Sequence, residues 1–228
     1  MSPRNERATR KASRQQRRTS RTRQRLLDAA RAVFSERGFE AVRIDEITER
    51  ADLGKGTFYY HFGSKEKIIR EVMSGVLAEL VQAVEQRCAG VKRLPELLDA
   101  LIAAHIEFFC TRWEDFVLYF QGRTDLTLED SYPGMETPFY AYLGCIERLL
   151  GTVITESVPP RVLRRIACAV AGFLSGYYAF AAISPGQEDI DSIIGHLLAY
   201  SFHPRRIVYI YVHKAPPSGG INLENWKP

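Results

Sequence analysis

The segment from Lys55 to Phe62 has the pattern of a helix with one apolar side and one polar side. Phe58 and Phe62 stand one helical turn apart, which predicts an anchor in a small core. The other positions carry an ammonium group, hydroxyl groups and an imidazole, and none is acidic: Lys55, Thr57, Tyr59, Tyr60 and His61. Such groups donate hydrogen bonds to phosphate oxygens and base edges. The alternative is that Tyr59 and Tyr60 pack inside the core.

Two further residues of this region favour a polyanionic partner. Gly56 has no side chain, so a duplex can approach its backbone closely. Lys65 follows Ser64, a good N-cap residue, at the start of a long predicted helix. The dipole of that helix favours an anion there, and a phosphate bound by both the helix N-terminus and Lys65 would satisfy both groups.

Three helices are predicted to position this segment. The first begins near Thr22, an N-cap residue, and ends at Gly38, because glycine takes a left-handed conformation without strain. The second has Ile44, Ile47 and Ala51 on one face and is followed after four residues by the third. Three helices in about 40 residues, with a tight turn before the last, are typical of a helix-turn-helix.

The stretch from Thr22 to Lys67 resembles the DNA-binding domain of TetR/AcrR-type transcriptional regulators. The matching pieces are TRQRLLDAARAVFSERGFEAV, IDEITERA and KGTFYYHFGSKEKI. In that family the third helix enters the major groove of DNA. The resemblance implies that Lys55 and Tyr60 lie near base edges. It also implies that five residues contact phosphate groups: Thr22, Thr57, Tyr59, His61 and Lys65.

Two positions depart from the family pattern. Asp52 stands in the turn where the family usually has glycine, and aspartate enters the left-handed region less readily than glycine. Arg43 stands where threonine or serine usually caps the second helix. We therefore expect either an irregular start to that helix or an Arg43 side chain that reaches the DNA.

Positive charge is concentrated at the N-terminus. Residues 1–25 carry ten Lys or Arg and one Glu, a net charge of +9, whereas the whole chain of 228 residues has a net charge of +4. Residues 1–19 have almost no large apolar side chains, so they are predicted to form a disordered basic arm. Such an arm either adds phosphate or minor-groove contacts to DNA or is a solvated tail.

The rest of the chain is predicted to be helical up to residue 203. A long helix from Ser64 to Cys88 crosses the domain boundary, which we place near residue 70. The predicted fold is all-α with about nine helices: a helix-turn-helix domain over 20–70 and a helical effector-binding and dimerisation domain over 71–203. In the tail, 204–228, residues 207–212 favour a strand that has nothing to pair with, so no structure is predicted there.

The second domain is expected to bind a small molecule and to form a homodimer. A ligand pocket between helices is apolar with a few polar groups, and the resemblance implies an apolar or aromatic effector. The candidate lining residues are His105, Phe109, Trp113, Phe116, Tyr140, Phe173 and Tyr177. One short recognition helix makes few base contacts, so two subunits on a palindromic operator are expected.

The predicted dimer interface is formed by the last two long helices, the second of which is predicted over residues 190–198. Gly172 and Gly176 lie four residues apart in the first of them, and small residues let helix backbones approach closely. The resemblance implies the same pair of helices. The alternative is that this small-residue face packs inside one subunit.

Other classes of protein are disfavoured by the sequence. It has no HExxH motif, nucleophile elbow or glycine-rich dinucleotide fingerprint, so we expect no enzyme and no cofactor. The four cysteines lack metal-ligand spacing, and no signal peptide is visible, so we expect reduced thiols, no metal site and a cytoplasmic location. Residues 166–187 are uncharged but rich in Ala, Gly and Ser, which favours a buried helix over a membrane span. A non-specific architectural DNA-binding protein and a membrane-tethered regulator are the remaining alternatives.

Overall fold

A computed structural model of the chain describes residues 3–125, 132–154 and 158–181, except for the side chains of 3–13, 110, 125, 174, 175 and 177–181. All regular secondary structure in these ranges is helical, which confirms the predicted all-α class. The ninth predicted helix, over residues 190–198, and the tail 204–228 lie outside the described residues. The eight described helices are α1 (Pro3–Arg37), α2 (Ile44–Arg50), α3 (Lys55–His61), α4 (Lys65–Arg87), α5 (Leu94–Thr111), α6 (Trp113–Asp125), α7 (Glu136–Val153) and α8 (Pro160–Ala181).

Helix α1 is longer than the sequence predicted. It begins at Pro3, so the expectation of a disordered arm over 1–19 and of a helix start at Thr22 was wrong. Residues 4–20 contain no glycine or proline and are rich in Arg, Gln, Lys and Ala, which have high helix propensity. The arm is therefore the first part of α1, and Thr22 lies inside the helix.

The described chain divides into two compact units. The first unit contains the residues up to Ala78 and those of Thr111–Pro138, and the second contains Glu79–Cys110 and the residues from Phe139 onwards. The division falls inside α4, after Ala78 rather than near residue 70. Helix α6 belongs to the first unit, although we assigned it from sequence to the second domain.

The first unit is built on the apolar sides of α1 to α4. Leu26, Phe34, Ile47 and Phe58 are fully buried, and each comes from the apolar stripe of its helix. Gly38 has φ +82°, and its N–H donates to the carbonyl of Phe34, so α1 ends where the sequence predicted. Truncating Phe58 to alanine in such a core costs about 3–5 kcal/mol of stability.

A buried ion pair joins α6 to α1 in the first unit. The Asp115 side chain is 2% exposed, and the Arg31 guanidinium contacts both of its carboxylate oxygens. The distance from Arg31 Nε to Asp115 Oδ1 is 2.6 Å. Gln121 of α6 also donates to the Phe34 carbonyl of α1. Polar contacts of this kind explain why α6 groups with the N-terminal helices.

The second unit has its own core, made of the C-terminal part of α4 and of α5, α7 and α8. Its fully buried side chains include Leu80, Leu101, Tyr142, Ile146 and Leu150. No helix in the described ranges is long and apolar enough to cross a membrane. Over residues 160–173, α8 has a buried face and an exposed face in the single chain, whereas we expected it to be buried on most sides.

Candidate nucleic-acid interface

The turn between α2 and α3 sets the direction of the third helix. Asp52 has φ +48° and is the one non-glycine residue at positive φ in the described chain. The Leu53 N–H donates to the Thr48 carbonyl at 2.9 Å, which closes the turn. Arg25 of α1 donates to the Ala51 carbonyl at 2.6 Å and so binds the C-terminal end of α2, where a cation is favoured. Aspartate therefore replaces glycine without loss of the turn.

Helix α2 begins regularly at Arg43. The Arg43 backbone is extended, as is usual for an N-cap, and its carbonyl accepts from the Glu46 N–H at 3.1 Å. Arginine has no acceptor in its side chain, so only the reciprocal half of a capping box forms: the Arg43 N–H donates to Glu46 Oε2 at 2.8 Å. This hydrogen bond is the main reason why the pKa of Glu46 is lowered. The Arg43 side chain is exposed and takes no part in the cap.

Helix α3 has the two sides that the sequence predicted. Phe58 and Phe62 are 0% and 3% exposed, and their rings lie 5.8 Å apart in the core of the first unit. Tyr59 and Tyr60 are 49% and 78% exposed, so the alternative in which these tyrosines pack inside is excluded. The exposed side of α3 therefore presents two aromatic hydroxyl groups to the solvent.

The C-terminal end of α3 is held by a residue of α1. The Arg23 guanidinium lies over the Phe62 ring, 5.0 Å from its centroid, and also pairs with Glu71 of α4. A cation over an aromatic ring and an ion pair each contribute modestly, but together they connect α1, α3 and α4. The tyrosines on α3 are thus displayed on a helix fixed at both ends.

Lys55 begins α3 and is paired with an acid of α2. Its Nζ lies 2.7 Å from Asp45 Oδ1, and both side chains are about half exposed, at 54% and 46%. The hydrogen bond to Asp45 and then the Asp45 charge raise the pKa of Lys55. Lys55 is therefore a permanent cation at neutral pH, but one that already has a counter-ion.

The other predicted contact residues surround α3. Gly56 is exposed, and a Cβ added to it would meet no atom within 4 Å. Thr57 and His61 are partly buried. Lys65 donates to the Glu40 carbonyl at 3.0 Å, so it also stabilises the loop after α1. Thr22 is partly buried within α1, so it cannot contribute a free helix N-terminus.

Two of the candidate effector residues lie in α5, within the second unit. His105 is 1% exposed; its Nδ1 lies 2.6 Å from the Leu101 carbonyl and its Nε2 lies 2.7 Å from the Tyr142 hydroxyl. Because a carbonyl only accepts, Nδ1 carries the proton and the Tyr142 hydroxyl donates to Nε2. Burial lowers the pKa of His105 to about 4. The neighbouring Phe109 is also buried, so this pair is part of the core with its polar atoms already bonded.

The remaining candidate effector residues are divided between the two units. Trp113 and Phe116 stack on each other in α6 of the first unit, with ring centroids 4.9 Å apart. Tyr140 of α7 is 61% exposed, and Phe173 of α8 is partly buried. The Tyr177 side chain lies outside the described residues.

The sequence did not reveal several residues that build the interface. Arg25 binds the carbonyl of Ala51 in the turn, and Arg23 lies over the ring of Phe62 at the end of α3. Asp45 of α2 pairs with Lys55 at the start of α3. A charged residue on a helix has no pattern that distinguishes such a role from simple solvation.

Parts of this chain are similar to known regulators of transcription. Residues 26–72 match the family model described as bacterial regulatory proteins, tetR family. The A-factor receptor protein of Streptomyces griseus is 28% identical over 209 residues, which is 87% of this chain and 68% of that protein. The transcriptional repressor NicS of Pseudomonas putida is 32% identical over 127 residues, 56% of this chain and 57% of that protein.

A solved structure shows the same fold. The regulator FadR from Bacillus subtilis, in complex with stearoyl-CoA, superposes with a TM-score of 0.60 and 18% identity over 78% of this chain and 97% of that chain. At this identity the likeness concerns the fold alone. The matched proteins regulate transcription and are not enzymes, in agreement with the sequence-based expectation. The matched helix-turn-helix over residues 26–72 and the shared fold make this chain similar to transcriptional regulators of the TetR family.

Proposed function

We propose that the chain is a sequence-specific repressor that binds a palindromic operator as a homodimer and is released by a small apolar or aromatic effector. The observation that carries the DNA-binding part is the exposure of Tyr59 and Tyr60 beside the buried Phe58 and Phe62. By contrast, the hydroxyl of the buried Tyr142 is bonded to His105 inside the core.

The charges around α3 support a DNA partner. Arg43, Lys55 and Lys65 stand at the starts of α2, α3 and α4, and these three helix starts belong to one unit. A duplex carries one negative charge per ~1.7 Å of its axis, so clustered cations and helix N-termini favour its approach. The exposed, unobstructed Gly56 lets the DNA come close to the α3 backbone.

Selection from a library of random-sequence duplexes tests this proposal. We expect the purified protein to enrich a palindrome whose half-sites lie about one helical turn apart. Tyr60→Ala should weaken binding to that palindrome by at least ~10-fold, the loss expected for one good base contact. Tyr140→Ala is the matched control, because Tyr140 is a similarly exposed tyrosine of the second unit. Coating of DNA without a preferred sequence would favour the architectural alternative and overturn the proposal.

The proposed dimer interface uses α8 and the helix predicted after it. The exposed side of α8 carries Arg161, Arg165, Cys168 and Gly172 at helical spacing, and a Cβ added to Gly172 or Gly176 would meet no atom within 4 Å. A second α8 could therefore approach this side closely. The helix predicted over 190–198 lies outside the described residues, so its part in the interface rests on the family resemblance.

Cross-linking at Cys168 tests the dimer. This thiol is exposed, whereas burial raises the pKa of Cys88 and Cys145 to about 11 and makes them poor nucleophiles at neutral pH. In a Cys110→Ser background, a short bis-maleimide should join two chains through Cys168, and Cys168→Ser should abolish the product. A monomer in sedimentation analysis at micromolar concentration would contradict the proposal.

The effector is proposed to act through the helical second unit. A regulator with the same fold was solved in complex with stearoyl-CoA, and a relative is named as a receptor for A-factor. An apolar ligand that prefers the DNA-incompetent state by 1–3 kcal/mol would lower DNA affinity ~5–150-fold. Stearoyl-CoA is the first probe, together with any small molecule that mass spectrometry finds bound to the purified protein.

Repression is tested by transcription in vitro from a promoter that overlaps the selected palindrome. The protein should reduce transcription, and an effective ligand should restore it. Increased transcription on adding the protein would show an activator instead. If neither stearoyl-CoA nor a co-purified molecule changes DNA affinity, the apolar-effector part of the proposal is contradicted.

A further inference from the structure

The N-terminal part of α1 carries its exposed arginines on one side. Successive residues of a helix are turned by about 100°, so Arg14, Arg17, Arg18 and Arg21 fall within a sector of about 100°. All four side chains are exposed, and we call them the arginine face.

The charge of the arginine face is not neutralised by the described part of the chain. None of its four arginines forms an ion pair there, whereas Arg23 pairs with Glu71 and Arg25 binds the end of α2. Like charges three and four residues apart repel each other on a helix. Arg23 and Arg25 therefore stabilise the fold. The arginine face is available to bind a polyanion that is not part of the described chain.

The direction of the arginine face is fixed by the fold. Helix α1 is continuous from Pro3 to Arg37, and Leu26, Ala30 and Phe34 anchor it in the first unit, which also holds α3. The arginine face is turned away from that buried side. A helical arm therefore holds its charges in one direction relative to α3. A flexible tail would not fix that direction.

The width of a helix decides which part of a duplex the arm can meet. An α-helix with its side chains is ~10–12 Å across, whereas the minor groove is ~6 Å wide and the major groove ~12 Å. A disordered arm could enter the minor groove, but a helical arm is too wide to do so. Residues 3–20 extend over ~27 Å, enough to follow the phosphates beside a half-site.

The composition of the arm favours DNA over a membrane surface. A helix that lies in a membrane interface needs large apolar side chains on one face. Residues 3–20 contain none of Leu, Ile, Val, Met, Phe, Tyr or Trp. Phosphate groups of a duplex need only cations, and arginine binds them with two parallel hydrogen bonds.

We propose that the arginine face of α1 binds the phosphates of DNA that flanks the half-site contacted by α3, and that it does so as a rigid helix. Binding then depends on which side of the helix carries the charges, not only on their number. The inference rests on the proposed DNA-binding function and adds a second contact surface to it. The contact is independent of base sequence, so the length of the flank matters and its sequence does not.

The test moves three charges to the opposite side of the helix without changing the net charge. The swap variant combines Arg14→Gln, Arg17→Gln and Arg21→Gln with Ala12→Arg, Gln16→Arg and Ser20→Arg. Binding is measured by fluorescence anisotropy at several salt concentrations, with a labelled duplex that holds the selected palindrome and ten or so further base pairs on each side. Circular dichroism shows whether the swap variant keeps the native helix content.

We expect the swap variant to bind at least ~10-fold more weakly at low salt. Each lost phosphate contact should reduce the slope of log K against log salt by ~0.9, so the slope should fall by up to ~2.7. The native protein should show the same loss when the flanks are trimmed from the duplex. Deletion of residues 1–19 should also weaken binding and reduce its dependence on salt.

Three results would overturn the inference. If the swap variant binds like the native protein while the deletion weakens binding, the arm acts as an unstructured polycation. If the deletion also has no effect, the arm is a solvated tail. If the swap variant loses binding to phosphatidylglycerol vesicles but keeps its affinity for the duplex, the partner is a membrane. Failure of the proposed function would look different, because the native protein would then select no palindrome.

Discussion

Lys55 Nζ lies 2.7 Å from Asp45 Oδ1, so an ion pair joins the first residue of α3 to the second residue of α2. The pair lies beside the exposed tyrosines of α3, on the side proposed to face DNA. A carboxylate in that place repels phosphate and holds the lysine in one direction. Asp45 therefore limits the attraction of Lys55 for any phosphate and favours one defined contact.

Asp45→Asn is expected to make DNA binding tighter but less selective. The freed Lys55 should bind random-sequence duplexes several-fold more tightly, with the salt slope raised by ~0.9 for one added phosphate contact. The ratio of affinities for the selected palindrome and a random duplex should fall. Asp28→Asn is the control, since it removes the same charge from an exposed position of α1. Equal slopes for the two variants would refute the role assigned to Asp45.

Gly56→Ala is expected to separate folding from DNA binding. Since a Cβ at Gly56 meets no protein atom within 4 Å, alanine should stabilise α3 by up to ~1 kcal/mol through its higher helix propensity. The same methyl group should obstruct the duplex and weaken operator binding by ~10-fold. Urea unfolding and anisotropy measure the two effects.

Gly75→Ala provides the matched control for that experiment. Gly75 is an exposed glycine inside α4 with nothing within 4 Å of an added Cβ. This variant should be stabilised to a similar extent and should bind DNA as the native protein does. Unchanged operator affinity in Gly56→Ala would show that the duplex does not approach this backbone.

Asp115→Ala is expected to destabilise the first unit. The variant removes the carboxylate that the Arg31 guanidinium contacts, and the Arg31 side chain is 27% exposed. Removing one member of a fully buried pair costs ~3–5 kcal/mol, and the partial exposure of Arg31 lowers this to about 2 kcal/mol. Glu96→Ala, which breaks the exposed Arg93–Glu96 pair, should cost less than ~1 kcal/mol. Similar urea midpoints for the two variants would contradict this account.

His105 is expected to make stability depend on pH. Burial lowers its pKa from 6.5 to about 4 in the folded chain, so between these values the unfolded chain binds more protons. The stabilising effect of the neutral ring is therefore complete above pH 6.5 and is lost as pH falls towards 4. Between pH 7 and pH 5 this amounts to about 2 kcal/mol.

Urea unfolding of the native protein and of His105→Gln at pH 7 and pH 5 measures that contribution. Glutamine does not titrate, so the variant should lose less stability over this interval. Other histidines and the carboxyl groups contribute equally to both proteins and cancel in the comparison. Parallel loss of stability in the two proteins would mean that His105 titrates normally in the fold.

The local features of this protein were determined by its sequence. The spacing of Phe58 and Phe62, the hydroxyl-rich positions between them and the glycine after α1 predicted a helix-turn-helix with an outward-facing polar side. Each of these signals depends on residues within one or two helical turns of each other, so periodicity and turn chemistry are sufficient to predict them. The arm was the exception, since its lack of apolar residues suggested disorder although its helix propensity is high.

The tertiary structure decided which distant residues meet. Arg31 and Asp115 are separated by 84 residues, and Arg25 reaches a carbonyl 26 residues away. Only packing reveals that α6 belongs to the N-terminal unit, that His105 is satisfied inside the core and that Lys55 has a counter-ion. A charged or polar side chain carries no periodic signal for its partner, because the partner is chosen by the three-dimensional approach of two helices and not by their spacing along the chain.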